Sequence, residues 1–74
     1  MADRKRAVLL ALRYPDRGMN VVRIQLFLRS AGFELAPDGI FGSMTREAVK
    51  TWQSMHGLPS DGVVDDATWD TMAL

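Results

Sequence analysis

Gln25 and Gln53 carry the most specific chemical signal in this chain. Each follows an apolar residue of a helical stripe, Ile24 or Trp52, and each precedes an Asp-Gly pair, Asp38-Gly39 or Asp61-Gly62. A primary amide offers two donors and a carbonyl oxygen, so a half-buried glutamine must find several polar partners. The Asp-Gly turns supply backbone groups for that purpose. Two roles are open: the amides staple the turns, or they line a groove and bind a peptide.

Other chemistry has little to stand on. His56 is the single histidine and cysteine is absent, which leaves no thiolate nucleophile and no His/Cys metal set. His56 precedes the helix-stopping Gly57, where a protonated ring would favour the C-terminal dipole. Ser43, Ser54 and Ser60 have no His–Asp context, and Gly42-Ser43 is not a nucleophile elbow. Asp65 and Asp66 are neighbours, and on a helix neighbours point to different sides. A calcium loop opening at Asp61 fails because Gly62 follows at once and Met72 stands where the closing Glu belongs. The expectation is a non-enzyme with no cofactor and no metal.

Charge argues against nucleic acid. Nine basic and nine acidic residues cancel, although residues 1–29 carry +5 and residues 30–74 carry −5. A helix-turn-helix reading would need a short turn before a basic recognition helix. Here the connection is long, and only Arg46 and Lys50, separated by Glu47, supply positive charge on the central helix. The longest apolar run, residues 7–12, is far short of a membrane span. It is also too short for a signal peptide, and Arg13-Tyr14-Pro15-Asp16 offers no small-residue cleavage site. Neither membrane insertion nor an export signal is expected from these residues.

The scaffold that must hold the glutamines is helical. In residues 20–31, Val21, Ile24, Leu28 and Ala31 form one apolar stripe, with Asn20 as N-cap and Gly32 as stop. In residues 43–56, Met44, Ala48, Trp52 and Met55 repeat the pattern beside Val49, and Gly57 ends it. A short third piece, residues 66–73, carries Trp69 and Met72 behind Asp65 as N-cap. Residues 3–13 fit a short extra N-terminal helix through Val8, Leu9 and Leu12, or an extended arm. A chain of 74 residues without disulfides depends on tight packing of such helices, so Trp52 and Trp69 read as packing anchors.

The chain also repeats itself. Val21, Ile24 and Gln25 return as Val49, Trp52 and Gln53, and Asp38-Gly39-Ile40-Phe41 returns as Asp61-Gly62-Val63-Val64. Thr45 and Thr68 follow at the same offset from the Asp, placed to reach back to a helix entry. The predicted fold is all-α: a compact three-helix domain with a pseudo-two-fold half-repeat. Ile40-Phe41 and Val63-Val64 are predicted to meet as a minimal β-bridge between the two Asp-Gly turns.

This pattern resembles the bacterial peptidoglycan-binding domain of the first type. The match runs through Val21, Ile24, Gln25, Leu28 and Gly32, then Asp38-Gly39-Ile40-Phe41-Gly42, Thr45, Ala48, Val49, Trp52 and Gln53. It continues through Gly57, Leu58, Asp61-Gly62-Val63-Val64, Thr68 and Trp69. Trp52 stands where Phe is common, Asp65 stands where the second turn often carries Gly, and residues 1–16 lie outside the match. The same fold resembles the pro-segment of matrix metalloproteinases, but that role needs a cysteine.

The resemblance implies a peptidoglycan-binding domain at residues 17–74, which leaves residues 1–16 as an N-terminal arm or short helix. It implies a monomeric, non-catalytic module of the bacterial cell envelope that anchors a linked cell-wall hydrolase, as in amidases and phage endolysins. Its partner would be peptidoglycan, through the stem peptide and muramyl sugar, with Asp38, Gly39, Ile40, Phe41 and Gln53 at the site and Asp61 and Gly62 as symmetry mates. The expected cleft is shallow and lies beside Phe41. The alternative is a protein-interaction module on the same helices, using Tyr14, Phe27 and the apolar run at residues 7–12.

Overall fold

The computed structural model describes residues 11–73, and among these are three helices: α1 (Met19–Ser30), α2 (Ser43–Met55) and α3 (Asp66–Met72). The all-helical architecture agrees with the expectation. Residues 3–10 of the expected N-terminal helix lie outside the described residues, while residues 11–13 are non-helical.

The helix boundaries follow local chemistry. Asp65 caps α3 as expected, its carboxylate accepting the Thr68 N–H. Asn20 is not a cap: α1 begins one residue earlier behind Gly18, and the Asn20 side chain instead accepts a long 3.5 Å bond from Arg23. His56 is the C-cap of α2, and its backbone N–H reaches the carbonyls at the helix end.

The core joins Val21, Ile24 and Leu28 of α1, Val49 and Trp52 of α2, and Trp69 and Met72 of α3. Leu12, Leu35, Phe41 and Val64 close it from the connections. Both tryptophans are buried anchors, and Phe27 meets Trp52 edge to face at 5.0 Å. The expected stripe on α2 needs correction. Met44 and Met55 are 65% and 66% exposed, whereas Thr45 and Gln53 are buried. The helix turns its polar pair inward because those two groups bond to partners within the protein, and the flexible methionines are left outside. Ala31 is exposed as well, one residue beyond the end of α1.

The β-bridges also differ from expectation. Val64 pairs with Leu12, and Ile40 pairs with Arg17, so neither turn pairs with the other. Leu12 and Val64 exchange both backbone bonds, at 3.1 and 2.8 Å. Phe41 N–H donates to Asp16 O at 2.8 Å and Gly18 N–H donates to Gly39 O at 2.9 Å. The segment 12–18 thus runs across both turns and takes up the backbone groups they would otherwise have offered each other.

Candidate functional site

The site is built on two matched staples. In the first, Gln25 Oε1 accepts the Gly39 N–H at 2.9 Å. Gln25 Nε2 donates to Asp38 Oδ1 at 3.1 Å, to Ile40 O at 3.0 Å and to Thr45 Oγ1 at 3.0 Å. In the second, Gln53 Oε1 accepts the Gly62 N–H at 3.0 Å. Gln53 Nε2 donates to Asp61 Oδ1 at 3.1 Å, to Val63 O at 2.9 Å and to Thr68 Oγ1 at 3.0 Å. Each amide sits 1% exposed with its acceptor and both its donors engaged. Both glutamines staple their turns, and Gln25 also lines a recess beside the first turn. Net worth is about 1 kcal/mol for an ordinary bond, but leaving such a buried group unmet costs more.

The turns themselves obey the same rule. Asp38 Oδ1 accepts the Ile40 N–H and Asp61 Oδ1 accepts the Val63 N–H, closing an Asx turn in each half. Gly39 and Gly62 have φ of 80° and 77°, a region in which a side chain is strained. Their surroundings are crowded too. A Cβ on Gly39 would lie 3.2 Å from Val22 Cγ2, and one on Gly62 would lie 2.9 Å from Arg46 Cγ. The Ile40 N–H, then the Gln25 amide, hold the Asp38 carboxyl below the usual aspartate range.

Surface access separates the two halves. Two recesses flank the first turn and share Asp38 and Ile40 as the ridge between them. One, of about 210 Å³, runs from Leu35 and Ala36 to the start of α2. The other, of about 490 Å³, lies against Arg17, Gly18, Met19 and Val22. Ile40 is 45% exposed on that ridge. At the second turn, the stems of Arg46 and Lys50 lie against Gly62.

Among the expected site residues, Asp38, Gly39, Ile40 and Phe41 are brought together by the first turn, and Asp61 and Gly62 by the second. Gln53 belongs to the second, not the first; the amide serving the first is Gln25. Phe41 is fully buried and lines neither recess, so the cleft expected beside it is displaced to Asp38 and Ile40. Phe41 is the buried apolar anchor of the turn, and its backbone N–H donates to the Asp16 carbonyl. Residues overlooked in the sequence are Arg17, Met19, Ser43 and Met44, all exposed beside the first turn. Of these, only Arg17 had a charge to signal it.

The aromatics of the alternative reading are partly committed. Phe27 packs on Trp52, while Tyr14 is exposed. His56 stacks on Trp52 at 3.8 Å, and its Nδ1–H donates to the Trp52 carbonyl at 2.9 Å, so the ring serves the end of α2. Trp52 Nε1 donates to Thr71 Oγ1 at 2.9 Å. Arg23 lies 5.8 Å above the Trp69 ring. No cluster of His, Cys, Asp or Glu among the described residues is arranged to hold a metal ion.

Three helices joined by glutamine-stapled Asp-Gly turns, with one turn exposed on a ridge, define a small recognition module. The sequence profile described as "putative peptidoglycan binding domain" matches residues 17–72, and the chain belongs to that family. It is 43% identical over 51 residues to the zinc D-Ala-D-Ala carboxypeptidase of Streptomyces albus G, covering 62% of this chain and 20% of the enzyme. Its fold is similar to the crystal structure of the Burkholderia AP3 phage endolysin, with a TM-score of 0.84 and 43% identity. That alignment covers 88% of this chain and 25% of the endolysin. It is similar also to the SleB N-terminal domain, with a TM-score of 0.84 and 29% identity, covering 86% of this chain and 89% of that one. The chain therefore spans a fifth to a quarter of the length of the first two.

Proposed function

We propose that this chain is a non-catalytic module that binds peptidoglycan and holds a linked wall-active protein on the bacterial cell wall. Family membership over residues 17–72 carries this reading. The relatives named as an endolysin and a carboxypeptidase support the linkage to hydrolases, since each extends well beyond the aligned region. The stem peptide and adjoining muramyl sugar are the parts recognised, and the surface is the Asp38–Ile40 ridge with its two recesses. Asp38 presents a carboxylate to an ammonium on the peptide, Ile40 gives an apolar wall, and Arg17 faces ligand anions from the far side. Gly39, Phe41 and both glutamines shape the ridge from beneath, and Asp61 and Gly62 hold the second turn.

Single-module affinity is weak by design of such a shallow surface, and tethering compensates. Confinement to the wall gives a linked catalytic domain an effective concentration of roughly millimolar, so a modest affinity suffices. The chain acts as a monomer at the envelope and performs no covalent step. The deciding measurement is an amide-shift titration with a defined disaccharide-peptide, alongside a sacculus pull-down. Shifts centred on residues 38–40 with retention on sacculi are expected. A folded domain left wholly in the supernatant, with no shifts, overturns the reading.

A further inference from the structure

Phe41 and Val64 are equivalent in the repeat, and each donates its backbone N–H to the segment that precedes α1. Phe41 donates to Asp16 O and Val64 to Leu12 O, both at 2.8 Å. One turn separates the two acceptors, so its shape fixes how the segment spans the two halves. That turn is closed twice. Asp16 N–H donates to Arg13 O at 2.7 Å, and Arg13 N–H donates back to Asp16 Oδ2 at 3.1 Å. Asp16 stands immediately before the stretch that the family profile matches.

Past this turn the chain meets the ridge. Arg17 and Ile40 are bridge partners, and both line the larger recess. The backbone holds that pair from both ends: Phe41 N–H donates to Asp16 O at 2.8 Å, and Gly18 N–H donates to Gly39 O at 2.9 Å. Asp16 itself is half-buried and lines neither recess beside the ridge. Its carboxylate acts on the ridge through the turn it closes.

We infer that Asp16 is a positioning residue for the binding ridge: its side chain closes the 13–16 turn, and that turn sets Arg17 and Ile40 in register across the larger recess. Ligand binding to a shallow surface gains from groups that are already ordered, because less freedom is lost on contact. With the Oδ2 bond gone, the turn keeps its backbone bond and the core keeps its apolar contacts, so the fold survives. The Arg17–Ile40 register loosens, and affinity falls with it. The functional module therefore includes the 12–16 segment ahead of the family match. This inference rests on the wall-binding reading for its ligand.

The test compares the full 15N-labelled chain with Asp16→Ala and Asp16→Asn, first free and then titrated with a defined disaccharide-peptide. In the free protein, Asp16→Ala is expected to shift the Arg17, Ile40 and Phe41 amides and to speed exchange of the Phe41 N–H, while the buried Val49 amide exchanges as before. Its affinity should fall about fivefold, the worth of one ordinary hydrogen bond. Asp16→Asn keeps an acceptor oxygen for the Arg13 N–H and is expected to restore both spectrum and affinity. Wild-type affinity in Asp16→Ala overturns the inference. So does weakened binding with an unmoved free spectrum, which would make Asp16 a direct ligand contact, or an equal loss in Asp16→Asn, which would make its charge the cause. Faster exchange at Val49 to the same degree as at Phe41 would assign the effect to global stability and overturn it too. Failure of the wild-type chain to bind either sacculi or the disaccharide-peptide sinks the wall reading instead, and the free-protein shifts still decide whether Asp16 sets the ridge.

Discussion

Thr45 and Gln53 lie on the same buried face of α2, and through them this one helix closes both turns. Thr45 accepts from Gln25 at 3.0 Å, and Gln53 donates to Thr68 at 3.0 Å. The two halves of the repeat therefore overlap in α2, whose start completes one staple and whose end begins the other. A change in either glutamine is a change to a turn, a helix entry and the core at once.

Gln25 and Gln53 should accordingly be the most sensitive polar positions. Gln→Met at either keeps the volume but orphans a glycine N–H, and is expected to cost about 2–4 kcal/mol, since each buried group left unmet costs roughly 1–3 kcal/mol. Gln→Glu should be worse than Gln→Met, because it removes the Nε2 donor and aims a carboxylate at an aspartate oxygen and a backbone carbonyl. Urea denaturation of the four variants checks the order, and a Glu variant more stable than its Met counterpart contradicts it.

Ile40 should separate binding from folding. It is exposed on the ridge, so Ile40→Ser is expected to change stability by less than about 1 kcal/mol, as surface substitutions usually do. Sacculus retention should fall severalfold. Parallel thermal melts and pull-downs measure both, and unchanged retention would remove Ile40 from the binding surface.

Asp38 should give acid-sensitive stability. Its folded pKa is lowered, first by the Ile40 N–H and then by the Gln25 amide, so its contribution is complete above the unfolded pKa. That contribution is lost as pH falls through the folded value, below the ordinary aspartate range. Asp38→Asn keeps an acceptor oxygen without titrating. The Tm gap between wild type and Asp38→Asn should therefore narrow as the solution is acidified, and a gap constant down to strong acid would contradict the linkage.

Asp65 should matter beyond its exposed position. Asp65→Ala removes the cap of a helix of seven residues that carries buried Trp69 and Met72, and a loss of about 1 kcal/mol is expected from chemical denaturation. Asp65→Asn should recover most of it, because the amide oxygen still accepts the Thr68 N–H. Equal losses for Ala and Asn would show that the capping bond is not the source.

By itself, the sequence determined the three helices, the repeat and the family, because apolar spacing and Asp-Gly punctuation are local properties. It also marked Asp65 as a cap and both tryptophans as anchors. Tertiary structure alone decided which face of α2 is buried, since Thr45 and Gln53 become cheap to bury only once partners from other segments surround them. It likewise decided that segment 12–18, rather than the opposite turn, pairs with Ile40 and Val64, a matter of long-range backbone bonding with no side-chain signature. And it set the turns apart: Asp38-Gly39 and Asp61-Gly62 read alike, but Arg46 and Lys50 lie against one while recesses flank the other. Identical dipeptides acquire different surfaces because exposure depends on what the rest of the chain places beside them.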